Sequence, residues 1–181
     1  MRSDHGLEAY CQKAVANGAT HALVTEGRQI ITAPWALWRC QFGCTDYGKY
    51  YSCPPCTPTI EQTRQMLDSY NRVILLHLQW SLGRRGEQEI KGYMENVVAL
   101  EQQLELDGFY RAFSMLTGRC LFCKECALTR NHPCSFPKKA RPAMEGCGID
   151  IYQTAHRLGL PMYPLRHADD VRNIYCLVLV D

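Results

Sequence analysis

The chain has 181 residues, a size that suits one domain around one hydrophobic core, and we expect a single domain over residues 1–181. Hydrophobic residues make up 46% and charged residues 21%, a globular balance that excludes intrinsic disorder and fibrous repeats. The formal net charge of +2 is too close to neutral to indicate a nucleic acid or an anionic membrane as partner, so any electrostatic argument must be local.

The first elements are predicted from apolar spacing and turn residues. A helix is predicted over 5–18, from His5 to Gly18, because its apolar residues share one face. Two stretches rich in β-branched residues, His21–Thr25 and Gln29–Thr32, predict a strand or hairpin. Residues 34–58 show no sustained period and predict an ordered loop.

Helices and strands alternate over the rest of the chain. Thr59 with Gln62 fits a capping box and predicts a helix to about Tyr70, and Asp150 with Gln153 predicts the start of the last helix. The other predicted elements are a buried strand over Val73–Leu78, a helix over Glu87–Leu106, a strand over Phe109–Leu116, an aperiodic region over 117–142 and a closing strand over Asn173–Val180.

This order predicts an α/β fold with a mixed or mostly parallel sheet flanked by helices. Two cysteine-rich metal-binding loop inserts interrupt it, at about 34–58 and 117–148. Each insert follows a strand, which is where open α/β sheets place ligands.

The cysteine content is unusual. Eleven cysteines are about 6% of the chain, below the roughly 8–10% of a secreted disulfide scaffold, and an odd number cannot pair completely. The first residues, MRSDHGLEAYCQK, carry charge where a signal peptide is apolar, and no segment approaches the roughly 18 apolar residues of a membrane span. We therefore expect a cytoplasmic protein, without a membrane partner, whose clustered thiols serve metal or redox chemistry.

Four cysteines form what we call the second group, with the spacing C-x2-C-x2-C-x7-C: Cys120, Cys123, Cys126 and Cys134. Tetrahedral zinc usually takes two separated pairs, whereas three cysteines at successive x2 steps meet three irons of a cube, as in bacterial ferredoxins. The gap before Cys134 is longer than in ferredoxins, so Cys134 either closes the same cube or belongs elsewhere. The spacing favours a [4Fe-4S] cluster, with zinc as the alternative.

Another four, the first group, follow C-x3-C-x8-C-P-P-C: Cys40, Cys44, Cys53 and Cys56. This spacing is typical of a zinc site as much as of a cluster site, and exchange of ligands between the groups stays open. Cys147 is a further ligand, a redox thiol or a residue of a tight turn. His132 coordinates metal, shuttles a proton, donates to a cluster sulfur or caps the loop.

Positive charge is concentrated around the second group. Residues 119–141 contain six Lys or Arg and one Glu, a local charge of +5. These cations would stabilise a reduced cluster or bind an acidic electron donor, or they form a solvated basic loop. Because no nucleic-acid module is recognisable, we do not expect a nucleic-acid partner.

Two segments carry a family resemblance: CQFGCTDYGKYYSCPPCTPT and RCLFCKECALTRNHPCSFPKKARPAMEGCGIDIYQTAHRLGLP. They resemble the cysteine-rich predicted metal-binding family catalogued as domain of unknown function 2284, of anaerobic bacteria and archaea, over nearly the whole chain. The resemblance implies a small cytoplasmic iron–sulfur protein with no settled reaction. It matches Cys40, Cys44 and Cys53, whereas Cys56 stands where the family often has phenylalanine; if three cysteines hold that cluster, one iron is open. The second group matches at all four positions.

The leading hypothesis is an iron–sulfur protein with one or two [4Fe-4S] clusters that passes low-potential electrons to a redox partner protein. One alternative is an enzyme that uses an open-site cluster for reduction, desulfuration or dehydration of a small anionic substrate. The other is a zinc-stabilised binding module.

Overall fold

The computed structural model describes residues 6–80, 86–167 and 170–181. The helices are α1 (Glu8–Ala16), α2 (Pro34–Gly43), α3 (Ile60–Asp68), α4 (Gly86–Leu106) and α5 (Ile151–Arg157). The strands are β1 (His21–Thr25), β2 (Val73–Trp80), β3 (Phe113–Met115) and β4 (Arg172–Leu179), and short 3-10 turns occupy Gly27–Gln29, Ala127–Arg130 and Glu145–Cys147. None of the helices in these ranges is both long enough and apolar enough to cross a membrane.

The four strands form one sheet in the order β1-β2-β4-β3, and each neighbouring pair is antiparallel. The prediction of a mixed or mostly parallel sheet is therefore wrong. Helices cover both faces of this sheet, α1 and α4 on one and α3 and α5 on the other. Residues such as Leu75 and Leu76 in β2 are therefore buried on opposite faces, which produces the continuous apolar runs that normally indicate parallel strands.

The antiparallel order also changes where the two cysteine inserts leave the sheet. Thr25 at the end of β1 pairs with Val73, which pairs with Leu179, and Leu179 pairs with Phe113 at the start of β3. Because β1 and β3 run in opposite directions, their carboxyl ends lie at opposite ends of the sheet. The inserts therefore do not share one sheet edge, as they would in an open parallel fold.

Three predicted elements are corrected. Pro34–Gly43, expected as loop, is helix α2; it was missed because its apolar residues do not share a face, with Ala36 buried while Trp38 and Phe42 are 64% and 79% exposed. The predicted strand Gln29–Thr32 is a 3-10 turn followed by one isolated bridge, from Thr32 to Ile149. The strand predicted over Phe109–Leu116 is shortened to β3.

Both predicted helix starts are confirmed. In α3, the backbone N–H of Gln62 donates to the Thr59 hydroxyl (3.2 Å) and the backbone N–H of Thr59 donates to the Gln62 side chain (2.9 Å). In α5, Asp150 accepts from the backbone N–H of Gln153 at 3.0 Å. The start predicted for the first helix, at His5, lies outside the described residues.

Candidate metal centre

Helix α2 positions two thiols of the first group. Cys40 lies on the helix and Cys44 directly follows its last residue, so the spacing of four places them on the same face. Cys53, only 9% exposed, joins them from the following loop. These three cysteines line a cavity of about 190 Å³, together with the charged residues Asp46, Arg119 and Glu145.

Cys56 lies apart from this cavity. Its backbone N–H donates to the Cys53 carbonyl (3.0 Å) in a tight turn, and its side chain is exposed. It does not line the space that the other three share. The structure thus brings together three of the four cysteines of the first group.

The surroundings of the first group disfavour bare thiolates. Burial, with smaller contributions from the neighbouring Cys40 and Cys44, raises the pKa of Cys53 to about 11, although a hydrogen bond with Ser52 opposes the shift. Burial also raises the pKa of Cys40, as do Glu145 and Cys44, while Arg39 opposes the shift. Thiolates crowded in this way need a compensating cation, and a bound metal supplies one while displacing the protons.

The four thiols of the second group lie in the loop between β3 and the turn at Glu145–Cys147. Burial raises the pKa of Cys120 and of Cys123. Cys126 and Cys134 also raise both pKa values, and Cys123 also raises that of Cys120. The group therefore shares one electrostatic environment. A backbone N–H of Phe122 opposes the shift at Cys120, as expected when the x2 turn points its amides at sulfur.

Across residues 6–80, 86–167 and 170–181, no three His, Cys, Asp or Glu side chains converge so that they could hold a single metal ion.

A short segment, 50–52, joins the two groups. Ser52 is 3% exposed, and its hydroxyl oxygen accepts from the backbone N–H of Cys120 (3.0 Å) while lying 3.7 Å from Cys53 Sγ. The Tyr51 hydroxyl donates to the His132 carbonyl at 2.8 Å. Sequence reasoning missed Ser52, since nothing in the spacing of the cysteines shows which loop residue reaches across.

Three of the six basic residues around the second group are neutralised by ion pairs. Arg119 pairs with Glu87 and Asp46, Lys139 with Glu95, and Arg141 with Glu101. Within the described ranges the other three form no ion pair: Lys124, Arg130 and Lys138. The basic loop is thus partly a set of structural anchors.

Behind the first group lies the turn at Glu145–Cys147. Cys147 is fully buried in the core, and burial raises its pKa to about 12. The Glu145 carboxylate accepts from the backbone N–H of Gly118 (3.3 Å) and from the hydroxyl of Thr117 (3.5 Å). Sequence reasoning considered Cys147 here and overlooked Glu145, two residues earlier, whose carboxylate borders the cavity.

Comparison with protein families identifies the family of the chain. A family model described as "Predicted metal-binding protein (DUF2284)" matches residues 24–180. The chain belongs to the DUF2284 family. Both cysteine groups of this DUF2284 protein lie inside the matched residues, and the resemblance read from the sequence is confirmed. Neither the curated proteins nor the solved structures give a match to the chain.

Proposed function

We propose that this DUF2284 protein is an iron–sulfur protein with a [4Fe-4S] cluster at each cysteine group, and that it transfers single electrons. The observation that carries the proposal is the C-x2-C-x2-C-x7-C spacing of four thiols within one loop. The first group, joined to them through Ser52, supplies three more thiols around one cavity.

The second group fits a cluster with four cysteine ligands. Its donors are all thiols, and a Phe122 amide stabilises the charged form of Cys120. Lys91 acts in the same direction on Cys123. Such charge compensation favours a group that, with four thiolates, is itself anionic.

The first group fits a cluster with three cysteine ligands: Cys40, Cys44 and Cys53. Because Cys56 lies outside their cavity, one iron would be left to Glu145, Asp46 or a small exogenous ligand. When bound, a cluster of this type supplies one-electron transfer and an open Lewis-acid position.

The contact between the groups supports transfer between them. The Cys120 amide and the Cys53 sulfur both lie against the Ser52 hydroxyl, so one buried side chain separates a ligand of each proposed cluster. The second group would receive electrons from a redox partner protein, with Lys124, Arg130 and Lys138 as the unpaired basic residues around it.

A second candidate function is an enzyme that reduces, desulfurates or dehydrates a small anionic substrate at the first group. The specific observation in its favour is that the three-cysteine cavity contains a carboxylate, Glu145, and adjoins a second cavity that Cys40 and Cys44 also line. An electron carrier has no need for such a space.

Anaerobic purification and reconstitution test the proposal. We expect a brown protein with broad absorption near about 400 nm and about eight irons and eight acid-labile sulfides per chain. Cys123→Ala and Cys53→Ala should each lose about four irons. Cys56→Ala should retain the full complement, as should the control Cys11→Ala, whose thiol is on α1 outside both groups.

Three results would contradict the proposal. A colourless protein with stoichiometric zinc would support the zinc-stabilised module instead. Loss of about four irons from Cys56→Ala would show that the first group has four cysteine ligands, and full retention in Cys123→Ala would remove the second cluster. Cyanide should shift the spectrum of the Cys56→Ala protein, and an unshifted spectrum would contradict the open iron proposed at the first group.

A further inference from the structure

We propose that Arg39, Trp35 and Tyr152 form a binding site for a small carboxylic acid with a flat apolar body, oriented so that its far end reaches Cys40 and Cys44. The site is argued from the cavity itself. The chemistry that the far end of the ligand encounters at Cys40 and Cys44 rests on the proposed function of the first group.

The cavity has a volume of about 260 Å³ and lies on the other side of Cys40, Cys44 and Glu145 from the three-cysteine cavity. Trp35, Arg39 and Tyr152 line it and also line an adjoining, more superficial hollow of about 460 Å³. These three residues therefore border a continuous path from the surface to the first group.

The aromatic wall is held in place. The Trp35 indole N–H donates to the Asp150 carboxylate at 2.8 Å, and Asp150 is 1% exposed because it caps the start of α5. Tyr152 follows on the same helix, with its ring centroid 6.4 Å from that of Trp35 and the planes at 54°. Fixed, tilted rings beside Ile149 and Met162 offer an apolar slot to a flat group.

Arg39 supplies a positive charge along the path. Arg39 is exposed at the outer part, 5.8 Å from the Trp35 ring centroid, and forms no ion pair with a carboxylate of the described residues. An anionic group is therefore attracted to Arg39, and the guanidinium fork suits a carboxylate.

The size of the cavity limits the ligand. At about 30 Å³ of liquid volume for each water, 260 Å³ holds about nine waters, roughly the number of heavy atoms in a six-membered ring with one carboxylate. We therefore infer an aromatic or similarly flat acid of that size, whose carboxylate binds Arg39 and whose ring lies against Trp35.

Ligand-observed ¹⁹F NMR on the reconstituted protein tests this site with 4-fluorobenzoate. We expect 4-fluorobenzoate to bind at least about tenfold more tightly than 4-fluorobenzamide, which lacks the charge, and than fluoroacetate, which lacks the ring. Arg39→Gln should weaken 4-fluorobenzoate binding at least about tenfold. Arg157→Gln, at an exposed arginine of α5 that lines neither cavity, should leave it unchanged.

Equal binding of the acid and the amide, equal binding of fluoroacetate, or undiminished binding by Arg39→Gln would each overturn the inference. Iron content and the electron paramagnetic resonance spectrum are measured on the same samples. A spectrum altered by 4-fluorobenzoate in the parent but not in Arg39→Gln supports the proposed orientation, and an unaltered one overturns it. Arg39-dependent binding to a protein without iron would support the carboxylate site while refuting the iron–sulfur proposal, so the two failures are distinguishable.

Discussion

The ion pair between Glu101 and Arg141 anchors the end of the second cysteine loop to α4. Glu101 is 1% exposed, and its carboxylate accepts from Arg141 at 2.5 Å and 2.8 Å. The same carboxylate accepts from the backbone N–H of Ser114 at 2.8 Å and from the Ser114 hydroxyl. One buried anion therefore holds together a helix, a strand and the loop that contains the second group.

Replacing Arg141 by Met should be strongly destabilising. The substitution keeps an apolar stem of similar length but leaves Glu101 as an unpaired buried charge, and breaking a buried pair in this way costs about 3–5 kcal/mol. In a protein of this size each kcal/mol lowers the melting temperature by about 2–4 °C, so we expect a decrease of roughly 6–20 °C.

Two variants separate this effect from a general disturbance of the loop. Lys139 and Glu95 form an ion pair at 3.2 Å, and their side chains are 49% and 41% exposed. Lys139→Met removes this exposed pair and should cost less than about 1 kcal/mol. Adding Glu101→Gln to Arg141→Met should recover part of the lost stability. The neutral amide carries no buried charge, and its oxygen still accepts from Ser114.

The free energy of unfolding is measured by urea denaturation, without oxygen, on samples of matched iron content, with circular dichroism as the signal. The reasoning is refuted if Arg141→Met costs no more than Lys139→Met. It is also refuted if the double variant is less stable than Arg141→Met alone.

Three further predictions concern the scaffold. Gly27→Ala should prevent normal folding or cost several kcal/mol, because the added Cβ would lie 1.9 Å from a backbone carbonyl oxygen. Gly92→Ala, in open space on α4, should instead stabilise the protein by about 0.5–1 kcal/mol. Thermal melts of both variants check this. Thr59→Ala removes the capping box of α3 and should cost about 1 kcal/mol in urea denaturation, and an unchanged midpoint would contradict that role. Burial lowers the pKa of His77 below its ordinary 6.5, so the unfolded chain takes up the proton first and stability is lost as the pH falls through 6.5 towards the folded pKa. His77→Gln should therefore be less sensitive to acid than the parent when stability is measured between about pH 7.5 and about pH 5.5, and parallel curves would argue against this assignment.

The parts of the fold predicted correctly from sequence are those decided by local chemistry. Thr59 and Asp150 cap helices through their own side chains three residues ahead, so a short motif is sufficient. The relative direction of the strands is not determined by local sequence. Val73–Leu78 is apolar on both faces because helices cover the sheet on both sides, and that burial pattern is the same for parallel and antiparallel neighbours.

For the candidate site, too, the sequence indicates only what short local spacings determine. Spacing alone selected the cysteines of both groups, because short spacings constrain which thiols can meet. Three of the first four line one cavity, and the ligand roles stay a prediction. Helix α2 escaped notice because Trp38 and Phe42 are exposed apolar residues, and such residues hide the helical period. Arg39 and Glu145 line one cavity although they are far apart in the chain, as are Ser52 and the Cys120 amide that it binds, and no local pattern records such contacts.

The segment 50–52 gives the two cysteine groups a common support. Ser52 and Tyr51 hold the second loop through Cys120 and His132, so ordering one loop restricts the other. If both groups hold a metal centre as proposed, the consequence is reciprocal: filling either site lowers the entropic cost of filling its neighbour. A variant that lacks one centre should therefore still fill the other, but less tightly than the parent does.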